Sequence, residues 1–194
     1  MTRTGLLAAC AAVGVLAALG TGVLLERARA PQGPPQIGGP FALTDGDGRP
    51  VTEASYAGKW RLIYFGYTHC PDACPTTLSK LGAALDRLAP AERTGIRVLF
   101  VTVDPARDTP AIMHDYAHAF GPEFTGLTGS VQALAPMLDE FHVYARRHDL
   151  AHGDYAMDHS SIIYVMAPDG AFTGLLDDAL SPDEMARRLR GFGA

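Results

Sequence analysis

WRLIYFGYTHCPDACPTTLSKLGAALDRL, residues 60–88, places a buried strand, a short polar turn and an amphipathic helix in direct succession. Trp60–Tyr67 is a continuous run of aromatic and branched residues, the pattern of a strand covered on both faces. Pro75 opens a helix to about Leu88, with apolar residues at Leu78, Leu81, Leu85 and Leu88 on one face. Working outward, Ile96–Val103 (IRVLFVTV) repeats the buried-strand pattern. Thr109-Pro110 is an N-cap followed by a first-turn proline, opening a helix to about Phe120. A third helix is expected over Val131–Phe141 and a short strand over Val143–Arg146. Ser161–Met166 reads as a core strand, turned by Pro168-Asp169-Gly170 into a hairpin partner at Ala171–Leu176. Ser181-Pro182-Asp183-Glu184 starts a closing helix to about Arg190, with Ser181 as cap and Glu184 completing a capping box. Upstream, Phe41–Leu43 and Val51-Thr52 flank Asp45-Gly46-Asp47-Gly48, a hairpin with a tight turn. Strands joined by helical crossovers pair in parallel, and the hairpins add antiparallel strands. The expected fold class is therefore α/β, a mixed sheet flanked by helices.

The chain has 194 residues, with 47% apolar and 19% charged residues. That is enough apolar material for a core, and it excludes wholesale disorder. The net charge of −5, with no basic run, argues against a nucleic-acid partner. Three cysteines are too few for a disulfide scaffold. Gly5–Leu25 is 21 positions without a charge, and a helix of that length spans about 30 Å of hydrocarbon. Residues 1–30 are therefore expected to form an N-terminal transmembrane anchor. A cleaved signal peptide is the alternative, disfavoured by the length of the run and by Pro31 just after the small-residue pattern Ala28-Arg29-Ala30. Cys10 reads as a small apolar residue inside the span. Residues 31–40, with four prolines and three glycines, form a tether. The domain at 41–194 is expected outside the cytoplasm, because long domains behind a single anchor cross largely regardless of charge.

Cys70 and Cys74 lie where the first core strand hands over to a helix, a place where α/β sheets bind ligands. A spacing of four puts both sulfurs on one helical face. They can then close a disulfide or grip one metal ion. A helix N-terminus favours thiolate, the form that both chemistries use. A purely structural disulfide would close a tiny loop and stabilise little. The spacing is also longer than the C-x-x-C of dithiol catalysts, which modestly favours a metal.

Two soft ligands invite a third, and seven histidines compete: His69, His114, His118, His142, His148, His152 and His159. His69 adjoins Cys70, but turn neighbours point apart. His114 and His118 stand at i, i+4, a spacing able to hold metal on a helix face, though such pairs are usually solvated surface. His148 and His152 belong to a polar loop. His159 stands at the entry to a core strand, where a side chain is pre-organised.

Several segments, in order, resemble the Sco/SenC family of thioredoxin-fold copper chaperones. FGYTHCPDACPTTL (Phe65–Leu78) resembles the family's copper-binding signature, and VTVDPARDTP (Val101–Pro110) its second motif. GLTGS (Gly126–Ser130) resembles a third, and DHSSIIYVMAPDG (Asp158–Gly170) the segment bearing the metal-binding histidine. The resemblance covers about residues 38–194. It implies a thioredoxin-like domain with Cys70, Cys74 and His159 as copper ligands and a redox role for the cysteine pair. It also associates Asp104 with the copper site, although a turn cap after the strand explains that residue equally well. Two thiolates and an imidazole suit Cu(I) and also hold Cu(II). They permit Zn(II) too, so the resemblance selects copper.

The implied activity is metallochaperone rather than enzyme. The chain would deliver copper to the binuclear centre on the copper-bearing subunit of cytochrome c oxidase. Another copper chaperone or a thiol reductase would be a further partner. A second reading is a thiol-disulfide oxidoreductase acting on the same partner's cysteines, in which His159 is a mere neighbour. A peroxide-reducing relative and a redox or copper sensor rank lower.

Overall fold

A computed structural model describes residues 37–194, and the expected anchor and residues 31–36 of the tether lie outside the described residues. Among the described residues no helix is long and apolar enough to cross a membrane. The strands are β1 (Ala42–Asp45), β2 (Pro50–Thr52), β3 (Trp60–Gly66), β4 (Ile96–Thr102), β5 (Phe124–Thr128), β6 (Ala145–Asp149), β7 (Tyr155–His159), β8 (Ile162–Met166) and β9 (Phe172–Asp177). The α-helices are α1 (Ala73–Leu85), α2 (Pro90–Thr94), α3 (Pro110–His118), α4 (Val131–Glu140) and α5 (Pro182–Phe192).

Seven strands form one mixed sheet in the order β2-β1-β5-β4-β3-β8-β9. β3, β4 and β5 run parallel, joined by helical crossovers, and the flanking strands pair antiparallel. The two apolar runs take the centre: Leu62–Phe65 and Val98–Val101 are fully or almost fully buried. Alternation divides their side chains between the two faces. Tyr64 and Phe100 stack under Tyr116 of α3, and Tyr64 also reaches Cys74 of α1. Phe65 points the other way, into an edge-to-face cluster with Phe141 and Tyr164. The C-terminal ends of β3 and β4 thus open beside the start of α1, and the cysteine loop lies there.

The caps behave largely as their chemistry dictates. Thr109 accepts from the Ile112 N–H, and Ser130 and Ser181 cap α4 and α5 in the same way. The expected capping box at Glu184 does not close. Its carboxylate turns outward to Arg187 and Arg188 instead, since two nearby guanidinium groups compete with one backbone N–H. α1 begins at Ala73, two residues before the expected proline start, so Cys74 lies inside its first turn.

Two features depart further from the expectation. Phe124–Thr128 is a full strand of the sheet, one that the expected order of elements lacks. Gly126 is needed there, because a Cβ would lie 2.4 Å from the Met113 carbonyl oxygen of α3. The polar loop around His148 and His152 is a second, separate hairpin, β6–β7, with Ala145 opposite His159. Its tip, Ala151–Gly153, turns through His152 at φ +64°.

Candidate metal centre

Three elements converge on one point. The β3–α1 turn carries Cys70, the first turn of α1 carries Cys74, and the last residue of β7 is His159. One ligand atom from each, the two sulfurs and an imidazole nitrogen, lie within 4.8 Å of one another. Cys74 is fully buried, whereas Cys70 is partly exposed. Both are free thiols.

Each donor is held by identifiable contacts. The Cys74 N–H, in the first turn of α1, donates to Cys70 Sγ at 3.4 Å. His159 Nδ1 lies 3.1 Å from the Ser160 carbonyl oxygen. A carbonyl only accepts, so Nδ1 carries the proton and Nε2 keeps its lone pair. That Nε2 faces Cys74 Sγ at 3.4 Å. The imidazole is wedged edge-on between Tyr64 and Tyr67, at centroid distances of 6.1 and 5.9 Å. The Tyr64 hydroxyl donates toward Cys74 Sγ at 3.9 Å. Gly66 makes room for this sulfur, since a Cβ there would lie 2.7 Å from Cys74 Sγ.

Burial dominates the electrostatics. It pushes the Cys74 thiol up to about 12, against a smaller opposing effect of a backbone N–H. The expectation that the helix N-terminus would favour thiolate therefore fails at Cys74: desolvation of a buried sulfur outweighs a dipole effect of the first turn. Burial likewise lowers the His159 pKa, with the Ser160 carbonyl opposing. Without metal, the Cys74 S–H donates to a neutral imidazole. A cation entering this pocket meets one ready lone pair, the partly exposed Cys70 sulfur, and a buried Cys74 thiol that must give up its proton.

Asp104, the fourth residue singled out from the sequence, does not join the cluster. Its buried carboxylate accepts from the Tyr155 hydroxyl at 2.8 Å and from Arg107 Nε. The Arg107 guanidinium lies 3.6 Å over the Tyr155 ring and donates to the Tyr155 carbonyl at 3.1 Å. Asp104 thus ties the end of β4 to the hairpin that ends in His159. Its backbone N–H donates to Thr102 Oγ1 at 2.8 Å, so Thr102 rather than Asp104 supplies the side-chain cap of this turn.

Asp108 escaped the sequence reading. It is fully buried. Its carboxylate accepts from the Thr68 N–H at 3.2 Å, from the Thr68 hydroxyl at 2.6 Å and from the Thr102 hydroxyl at 2.6 Å. Thr68 is two residues before Cys70, so Asp108 fastens the cysteine turn to the end of β4. An acid two residues before the helix proline Pro110 reads as an ordinary loop polar residue, and no local signal separates it from Asp104. The other histidines stay apart: His148 pairs with Asp158 at 3.2 Å, and the half-exposed His69 leans toward Asp108 at 3.9 Å.

Residues 29–193 match the SCO1/SenC family model. The mitochondrial SCO1 homolog 1 of Arabidopsis thaliana is 44% identical over 138 residues, covering 70% of this chain and 41% of its own length. The sco1 protein of Schizosaccharomyces pombe is 38% identical over 163 residues, covering 82% of this chain and 62% of its own length. The chain thus spans about half the length of such curated relatives. Among solved structures, Bradyrhizobium japonicum ScoI with copper bound is 42% identical and superposes with a TM-score of 0.74 over 80% of this chain and 99% of that one. Arabidopsis thaliana ScoI with copper bound gives 37% identity and a TM-score of 0.77 over 80% of this chain and 97% of that one. Matching sequence over nearly its whole described length, and matching copper-bound structures in fold, the chain belongs to the SCO1/SenC family.

Proposed function

We propose that this chain is a copper metallochaperone that binds one copper ion through Cys70 Sγ, Cys74 Sγ and His159 Nε2. It hands that ion to the copper-bearing subunit of cytochrome c oxidase during assembly. The observation that carries this reading is the gathering of two sulfurs and one lone-pair nitrogen within 4.8 Å of one another. Thiolates and imidazole are soft and borderline donors, and a three-donor set with two sulfurs satisfies Cu(I). The partly exposed Cys70 is the ligand that a partner thiolate displaces first, while buried Cys74 and His159 retain the ion until transfer. Such ligand exchange is not enzyme turnover. The uncharged Gly5–Leu25 segment supports a membrane anchor with the domain on the extracytoplasmic side.

The test is competition of the reduced full chain against a Cu(I) chelator, beside His159→Ala. One ion should bind per chain, and the substitution should weaken binding at least tenfold, about 1.4 kcal/mol. Weak binding indifferent to His159→Ala would sink the three-ligand site. One observation favours a second reading, thiol-disulfide exchange: Cys70 Sγ is accessible and accepts the Cys74 N–H at 3.4 Å, the arrangement of an attacking sulfur with a buried resolving thiol behind it.

A further inference from the structure

A pair of histidines lies toward the other end of the sheet, away from the cysteines. His114 and His118 stand one turn apart on α3, with ring centroids 4.4 Å apart and planes inclined by 20°. The β1–β2 turn packs directly on this helix. A Cβ at Gly46 would lie 2.7 Å from the His114 Cα, so only glycine lets the turn come so close. That approach delivers Asp47, whose Oδ1 lies 3.1 Å from His114 Nδ1.

Asp47 is pinned rather than swinging. Its backbone N–H bonds Asp45 Oδ1 at 3.0 Å, and its other carboxylate oxygen holds Arg49. With Oδ1 accepting at Nδ1, the His114 ring carries its proton there and presents Nε2 as a lone pair. A carboxylate behind one imidazole nitrogen, orienting the other outward, is the support that metal-binding histidines receive. The pair borders a polar cavity of about 200 Å³. Arg49 and Arg97 also line this cavity. Arg49 is neutralised by Asp45 and Asp47, and Arg97 donates to its neighbouring Ile96 carbonyl.

We propose that His114 and His118 form a second, surface metal site for a borderline divalent ion such as Zn(II) or Cu(II), with Asp47 as the residue that orients His114. Imidazole suits these ions, and two histidines at i, i+4 chelate from one helix face. Asp47 holds the His114 ring in place, the exposed His118 ring turns about χ1 and χ2 to aim a nitrogen at the same ion, and water completes the coordination. The site is independent of Cys70, Cys74 and His159.

The experiment is a calorimetric titration with Zn(II) alone of the full chain carrying Cys70→Ser and Cys74→Ser. A saturable site of one ion per chain is expected. His114→Gln or His118→Gln should weaken it at least tenfold and Asp47→Ala about tenfold, whereas His148→Gln should leave it unchanged. Nitrogen NMR of the histidine rings in the chain with its cysteines intact makes the reading independent of the substitutions. Zn(II) should shift His114 Nε2 while Nδ1 keeps its proton. Binding untouched by either glutamine variant, no saturable binding, or a Zn(II) shift confined to other histidines would overturn the proposal.

Discussion

Cys74 sits under two opposing influences, a helix N-terminus that favours charge on sulfur and a buried site that opposes it. Burial wins, and the thiol is pushed up to about 12. Two consequences follow from the sign. Between the ordinary thiol range and about 12 the folded chain holds a proton that the unfolded chain has lost, so the metal-free protein loses stability as pH rises through that window. At neutral pH, copper must displace the Cys74 proton, and apparent Cu(I) affinity should rise at least tenfold per unit between pH 7 and pH 9, because each proton released contributes one power of ten. Chelator competition across that range checks it, and a flat profile would contradict a thiolate ligand at this position. The lowered His159 pKa acts at the other end. Its folded form resists protonation while the unfolded form accepts a proton near the usual histidine value, so stability falls as pH drops below that value toward the folded one. Asp108 is the residue whose loss should spread furthest. Asp108→Ala leaves the Thr68 N–H and two threonine hydroxyls without their acceptor. The expected loss is about 3 kcal/mol in urea unfolding, together with weaker copper binding through the displaced cysteine turn.

At the scale of elements, the site depends on how closely α1 lies on β3. Gly66→Ala inserts a methyl group 2.7 Å from both Cys74 Sγ and a Phe100 ring carbon. Over-packing of this kind costs about 1–3 kcal/mol. Here it also moves a proposed ligand, so denaturant midpoint and Cu(I) affinity should fall together; an unaltered affinity would show that Cys74 tolerates the shift. β3, β4 and α3 were legible in the sequence because their signals are local: unbroken apolar runs for the strands, and Thr109-Pro110 for the helix start. β5 was not, since Phe124–Thr128 is short and centred on Gly126, whose purpose is visible only when α3 lies against it. β6 was legible in part, as the short strand expected over Val143–Arg146, and β7 was not. ARRHD is mostly polar, YAMDH joins three apolar residues to Asp158 and His159, and among the described residues the two strands form a separate two-stranded sheet. What anchors them from outside is tertiary: the Arg107 guanidinium lies 3.6 Å over the Tyr155 ring, which also stacks with Arg147 of the same hairpin at 3.8 Å. The cysteine pair was legible as a ligand pair from its spacing at a strand–helix turn. His159 was not separable from six other histidines by spacing, because its partners lie up to 89 positions away; its place at the entry to a core strand made it a candidate, and the resemblance named it a ligand.

Across the whole molecule, that separation makes copper a reporter of folding. Cys70 and Cys74 are four residues apart and remain close neighbours in the unfolded chain, where as proposed ligands they are still able to chelate Cu(I). His159 is 85 positions from Cys74 and joins them only when β7 is docked against the sheet end. A ligand stabilises a fold only by its preference for the folded over the unfolded state. The cysteines therefore contribute little to that preference, and His159 contributes most of it. If the imidazole strengthens binding tenfold over the bare dithiol, saturating Cu(I) raises the unfolding free energy by about 1.4 kcal/mol. For a domain of this size, that corresponds to a rise in Tm of about 3–6 °C. Thermal unfolding of the reduced chain with and without saturating Cu(I) should show this rise, and His159→Ala should remove nearly all of it while keeping copper bound to the cysteines. An equal rise in the two proteins would mean that the folded dithiol alone discriminates, and that His159 closes the pocket without holding the ion.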